Sequence, residues 1–213
     1  MKRTVSTLAF MACLVTPAAA QWFGEPVWNS PKGGTGLTIS GDYAKPDSSY
    51  GNGNVWGGRA SLGLGTMTLT AGVSSWKPKG AIESSTSVGG NAAFRLIGGS
   101  LLPVAVNLQL GGARVSTGSG SPPGTRIIGA MGVSVPLPTP GFSIEPFFSP
   151  GLRYTNIGGV NGTKFGYAIG ANVGFGLFGM HVAYDNEKDF SGSGSLGTFG
   201  VGAHFGIHLP MGM

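Results

Sequence analysis

Acid-base or metal chemistry in this chain would rest on few side chains: His181, His204 and His208, eight carboxylates, and the single cysteine Cys13. An imidazole beside a carboxylate is the usual general-base pair, which singles out His181, Asp185 and Asp42. His181 and Asp185 are four residues apart, roughly 13 Å along a strand and too far for a direct hydrogen bond. His204 and His208 share that spacing, so a metal held by the two is not expected. The glycine-rich runs 51–57 and 158–164 lack the spacing of a phosphate-binding loop and do not lie between a strand and a helix. No catalytic residue, cofactor or metal is therefore assigned.

The other charges are more orderly. Asp42, Arg59, Arg95, Arg126, Glu145, Arg153, Lys164 and Asp185 each fall on the polar side of a segment whose alternate residues are apolar. Charges turned into one interior must find partners, so these eight form a candidate salt-bridge network. Counted from the outer side, four bases meet two acids, which would give a mildly cation-rich mouth. Arg95 and Glu145 come at a similar depth near the other end. With glycines such as Gly132, Gly170, Gly174 and Gly202 leaving room, the two are expected to meet across the interior as a constriction.

The elements that would position these charges are strands. In 196–209 the odd residues Gly197, Phe199, Val201, Ala203, Phe205, Ile207 and Leu209 alternate with Leu196, Thr198, Gly200, Gly202, His204, Gly206 and His208. Nine earlier segments repeat the pattern: 36–44, 55–64, 66–76, 88–97, 103–115, 125–137, 142–154, 164–175 and 177–185. Most have the nine to eleven residues or so that a tilted strand needs to cross a bilayer. Strict alternation in 103–115 would send Arg114 into lipid, so a bulge is expected at Gly111 and Gly112. Pro146 and Pro150 lack ladder donors, and bulges are expected there too.

The N-terminus has the three parts of an export signal: Lys2 and Arg3, an apolar run over 8–15, and Ala18-Ala19-Ala20 before Gln21. Cleavage there would remove Cys13 and leave no thiol chemistry. Residues 21–33, with Trp22, Phe23, Trp28, Pro26 and Pro31, read as an irregular periplasmic lead-in resting on the rim. Polar loops after every odd segment (45–54, 77–87, 116–124, 155–163, 186–195) alternate with short links after the even ones. Long connections outside and short ones inside, with both termini periplasmic, is the pattern of an outer-membrane barrel. Aromatic residues independently fall into two rows, Tyr43, Trp56, Tyr154, Phe165, Tyr167, Tyr184 and Phe199 outside and Phe94, Phe142, Phe175, Phe178 and Phe205 inside.

The fold expected is therefore all-β: a closed antiparallel transmembrane barrel of about ten strands, with eight as the alternative. It spans 34–213, after a signal peptide (1–20) and the lead-in (21–33). The exported start, the hairpins, Ile144-Glu145-Pro146-Phe147-Phe148-Ser149-Pro150-Gly151-Leu152-Arg153-Tyr154 and the final Val201-Gly202-Ala203-His204-Phe205 resemble small bacterial outer-membrane β-barrel proteins of the OmpA and opacity type. Eight strands are usual there, and the last strand commonly ends on an aromatic residue read by the barrel assembly machinery. Here 209–213 follow, and Phe205 is the nearest equivalent.

The resemblance implies a monomer in outer-membrane lipid, assembled through its last strand, with a structural or surface-interaction role and no catalysis. A narrow channel for small solutes or ions is the alternative, and an outer-membrane protease or lipid-modifying enzyme a distant one. Scattered charges, and a formal charge of +5 that falls to +3 without Lys2 and Arg3, give no surface for nucleic acid.

Overall fold

The computed structural model describes residues 25–49, 51–99, 102–116, 122–189 and 194–207. The expected signal peptide, Cys13, His208 and residues 209–213 lie outside them. Eleven strands follow in order: β1 Thr35–Pro46, β2 Asn54–Leu64, β3 Met67–Lys77, β4 Ser85–Gly99, β5 Leu102–Ser116, β6 Gly124–Ser134, the short β7 Leu137–Thr139, β8 Phe142–Ile157, β9 Val160–Phe175, β10 Phe178–Lys188 and β11 Ser195–Ile207.

Each long strand pairs antiparallel with its successor, β6 pairs with β8, and β1 pairs with β11, so ten staves close a ring without a free edge. The β7 segment prolongs β6: its pairs with β8, such as Leu137↔Ile144, keep the register of Val133↔Phe148. Closure is what a membrane demands, since an unpaired backbone group in hydrocarbon costs several kcal/mol.

Alternation holds along the staves except near the end of β4, where the register shifts between Arg95 and Gly99 and Leu96 and Ile97 are both exposed. Ile39, Leu110, Ile169 and Met180 point outward and are exposed, whereas Ser40, Gln109, Ala168 and His181 point inward and are buried. Aromatic pairs mark both rims, Tyr43 against Trp56 at one end and Phe178 against Phe205 at the other. Ile169 is 53% exposed and pairs with Phe148 and Tyr184 in mid-stave. Ile169→Arg is expected to cost about 2–4 kcal/mol in folding titrations into lipid. Gly170→Ser, mild on an open lumen face, should instead be costly, because a Cβ at Gly170 would strike the Val182 carbonyl, Phe147 and Ala183.

Three local expectations change. The ladder runs unbroken through Gly111 and Gly112, so Arg114 does face outward, two residues from the end of β5. A cation is tolerable there because it sits at the rim, where a long side chain reaches water. No bulge forms at Pro146 or Pro150, and the β8–β9 register is continuous. The Val135 N–H donates to the Pro146 carbonyl at 3.1 Å, so Pro146 turns its missing donor toward β6, and Pro150, of the same parity, does likewise. Both fall on the seam where the β6–β8 pairing is interrupted. Third, β8 and β9 are joined by Gly158 and Gly159 alone, at φ +61° and +87°, instead of by a loop over 155–163. Two successive positive φ values form the tight hairpin turn whose twist matches the strands, so pairing continues to Ile157↔Val160.

The other connections keep the expected asymmetry. Two-residue links at 65–66, 100–101, 140–141 and 176–177 define a short-turn end, and longer ones at 47–53, 78–84, 117–123 and 189–194 a long-loop end.

Candidate functional site

The lumen is filled by the chain's own lead-in. Glu25 to Gly33 lies inside the ring, with Glu25, Val27 and Trp28 buried to 2%, 4% and 6% exposure. Such a segment cannot join a ladder, since Pro26 and Pro31 break it, yet its two large apolar side chains need cover. They find it in a small inner cluster with Ile128, Phe147, Ala168 and Ala183. The expected rest on the rim is thus replaced by a plug.

Glycines on the wall make the space. At Gly200 a side chain would meet the Trp28 ring and Pro26, at Gly132 it would meet Pro31, and at Gly57 the Glu25 carboxylate. The inward glycines therefore do not leave a passage, because other groups occupy what they vacate.

Wall charges hold the plug's backbone. The Val27 N–H donates to Asp185 Oδ2 at 3.3 Å. Glu145 accepts from Ser30 Oγ (2.6 Å), the Lys32 N–H (3.0 Å), Ser134 Oγ (2.7 Å) and Asn172 Nδ2 (3.3 Å). Arg95 Nη1 donates to the Lys32 carbonyl at 3.0 Å. Arg95 and Glu145 therefore do not pair across the lumen; each binds the main chain of Lys32 between them. The Lys32 main chain is the mediator that the sequence did not reveal.

Toward the long loops a second group forms. Arg153 grips Asp185 with both terminal nitrogens, Nη2 to Oδ2 at 2.9 Å, and reaches Glu187 at 3.4 Å. Arg126 binds the same Glu187 with its two nitrogens, Nη1 to Oε1 at 3.0 Å. Glu187 escaped the sequence reading because the ninth segment was ended at Asp185. Continued alternation, with Lys188 outward and Glu187 inward, was the signal available. With Glu187 counted, four bases face three acids, and Arg59, Arg126 and Arg153 each lie beside a carboxylate. Lys164, half-buried, pairs in register with Arg153.

The third group lies between these two. His181 Nε2 stands 2.6 Å from Asp42 Oδ1, and Arg59 Nε lies 3.4 Å from Asp42 Oδ2. Asp42 and His181 sit on strands separated by β11, and they touch because Gly202 is paired with both and has no side chain to part them. His181 Nδ1 in turn lies 3.3 Å from His204 Nδ1. The two ring centroids are 5.6 Å apart with planes 17° from parallel, so the nitrogens meet nearly end to end, as in an N–H···N bond. Trp28 packs edge-on against His181 at 4.5 Å, and the Arg59 guanidinium lies 5.3 Å from its ring centre. Among the described residues no group of three or more His, Cys, Asp or Glu side chains gathers to hold a metal.

Below this layer a vestibule of about 480 Å³ contains Lys32, Arg59, Glu145, His181 and His204 in its walls, next to the short turns.

The fold is that of an outer-membrane β-barrel. No family model and no curated protein matches the chain. Among solved structures it is similar to the β domain of the Bordetella autotransporter Brka, at 11% identity over 81% of this chain and 99% of that one, with a TM-score of 0.49. It is also similar to the attachment invasion locus protein Ail of Yersinia pestis, at 16% identity over 81% and 99%, with a TM-score of 0.34. A third is the outer membrane protease OmpT from Escherichia coli, at 8% identity over 81% and 94%, with a TM-score of 0.39. A protease stands beside an attachment protein in that group, and at such identities neither lends this chain an activity.

Proposed function

We propose that the chain is a non-enzymatic barrel of the bacterial outer membrane, monomeric, with a structural or surface-interaction role and a lumen sealed by its own N-terminal segment. The observation that carries this reading is the plug: Glu25 to Gly33 is bonded at both ends, to Asp185 and to Glu145 and Arg95, and packed in the middle through Trp28. A barrel stoppered in this way holds its shape without passing solutes. Termini on the periplasmic side and engagement of the assembly machinery through the last strand belong to the same proposal.

An enzyme reading built on the His181–Asp42 pair would need a ring nitrogen of His181 free for substrate. His181 has Asp42 at one nitrogen and His204 at the other, and Trp28 covers its edge. That favours a structural hydrogen-bond chain over a general base.

Conductance of the refolded, intact protein in a planar bilayer tests the seal. No steady single-channel steps are expected, and reproducible ohmic steps from the intact chain would overturn the sealed reading in favour of a narrow channel.

A further inference from the structure

The charges left over from the lumen are arranged on the outside. Of the cations on strands, Arg59, Arg95, Arg126, Arg153 and Lys164 point inward, and Lys45, Lys77, Arg114 and Lys188 point outward and are exposed. All four outward ones stand in the last three residues of a stave at the long-loop end: β1, β3, β5 and β10. Every carboxylate on a strand, Asp42, Glu145, Asp185 and Glu187, points inward. Among strand residues, the outward face at that end therefore carries four positive charges and no negative one; the carboxylate beside it is Asp47, just past β1, which accepts the Gly197 N–H at 2.8 Å. At the short-turn end the outward face carries no charge at all.

The four cations also lack internal use. None takes part in an ion pair among the described residues, whereas the inward arginines hold carboxylates or the plug. In ring order they occupy alternate staves, β10, β1, β3 and β5, so they trace an arc, with about 10 Å between Lys45 and Lys77 on one register line and about 16 Å at the outer two steps, where Lys188 and Arg114 stand four residues off the register of their neighbours. Tyr43, which pairs in register with Trp56, lies two residues below Lys45, roughly 7 Å nearer the membrane centre. Aromatic girdles sit at the interface between hydrocarbon and headgroups, so the cations above this one emerge at the depth of headgroup phosphates.

We propose that this arc is a docking belt for the phosphates of an anionic, phosphorylated glycolipid in the leaflet surrounding the long-loop end. The inference rests on the outer-membrane reading, which supplies a leaflet at that end. Charge complementarity selects the occupant: a zwitterionic phospholipid brings its own cation to each phosphate, whereas a glycolipid with uncompensated phosphates leaves them to the protein. The alternate-stave spacing lets two neighbouring members of the arc engage separate phosphates of one molecule or of adjacent ones.

The test compares lipid A carrying both phosphates with its dephosphorylated form, each titrated against the refolded barrel and followed by native mass spectrometry. The intact protein should prefer the phosphorylated form, and the combined variant Lys45→Gln, Lys77→Gln, Arg114→Gln and Lys188→Gln should lose that preference by about tenfold or more, with one cation contributing about fivefold near an anionic surface. The four side chains are exposed, so the variant should retain heat-modifiable migration. Lys32→Gln with Lys79→Gln, which removes two charges outside the arc, should leave the preference intact. Equal binding of the two lipids by the parent, or an unchanged preference in the fourfold variant, would overturn the belt alone. Failure of the parent to enter phosphatidylcholine vesicles in a heat-modifiable form would overturn the membrane reading, and the belt with it.

Discussion

A barrel starting at Gly34, with the plug removed, is expected to conduct in a planar bilayer where the intact chain is silent. The staves keep their ladders and their lipid face in this variant, because no residue of the plug contributes to either. What is lost is the occupant of the lumen: Trp28 and Val27, whose burial is worth about 1.5–3 kcal/mol each, and hydrogen bonds to ionised groups worth about 1.5–3 kcal/mol each. Bonds of that kind anchor the segment at Val27, Ser30 and Lys32, so spontaneous withdrawal is rare and the parent stays shut. Water then takes over Asp185 and Glu145, which removes the penalty for their lost partners. Heat-modifiable migration confirms that the truncated barrel is closed before conductance is read. A folded truncated barrel as silent as the parent would mean that the wall side chains close the lumen unaided.

The second large effect is expected at Arg153. Replacing it by Met strips Asp185 of its bidentate partner and leaves Glu187 to Arg126 alone, in a site where all four side chains are nearly inaccessible. Removing one member of a buried ion pair costs about 3–5 kcal/mol, because the remaining charge has no water to turn to. Arg153→Met should therefore lower unfolding stability in denaturant titrations by that amount. Arg153→Met combined with Asp185→Leu should recover most of it, since no orphaned carboxylate then remains at 185. A loss under about 1 kcal/mol in the single variant would show that water reaches this layer.

Much of the barrel was legible because lipid imposes a rule that leaves no gaps: alternate residues must be apolar along every stave. Ten segments obeyed it, and ten staves formed. The errors fell where that rule gives out. Near the loops, polar residues are acceptable on both faces, so no pattern required the ninth segment to continue to Glu187 or Thr155–Ile157 to pair with 160–162. Arg114 was moved inward on the assumption that lipid reaches the stave's end.

The plug was unreadable for a different reason. Residues 25–33 have no periodicity, and what covers Trp28 is settled by staves far away in sequence. The contact of His181 with Asp42 is equally remote. It depends on the pairing of both with Gly202, a register that neither strand states alone. The partners of the inward charges likewise depend on that register and on the plug.

The enclosed segment also bears on how the molecule is built. Gly34 ties the plug to the start of β1, and β1 is hydrogen-bonded on both sides, to β2 and to β11. Once the ring has closed, a stretch bearing an indole as bulky as Trp28 would have to be threaded past Phe147, Arg59 and His181 to reach its seat. The economical order is the reverse, with the first part of the barrel chain lying down early and the staves winding around it as around a mandrel. A lumen organised on such a former would present its charged wall groups with their partners before the last seam shuts, so that none is sealed in alone.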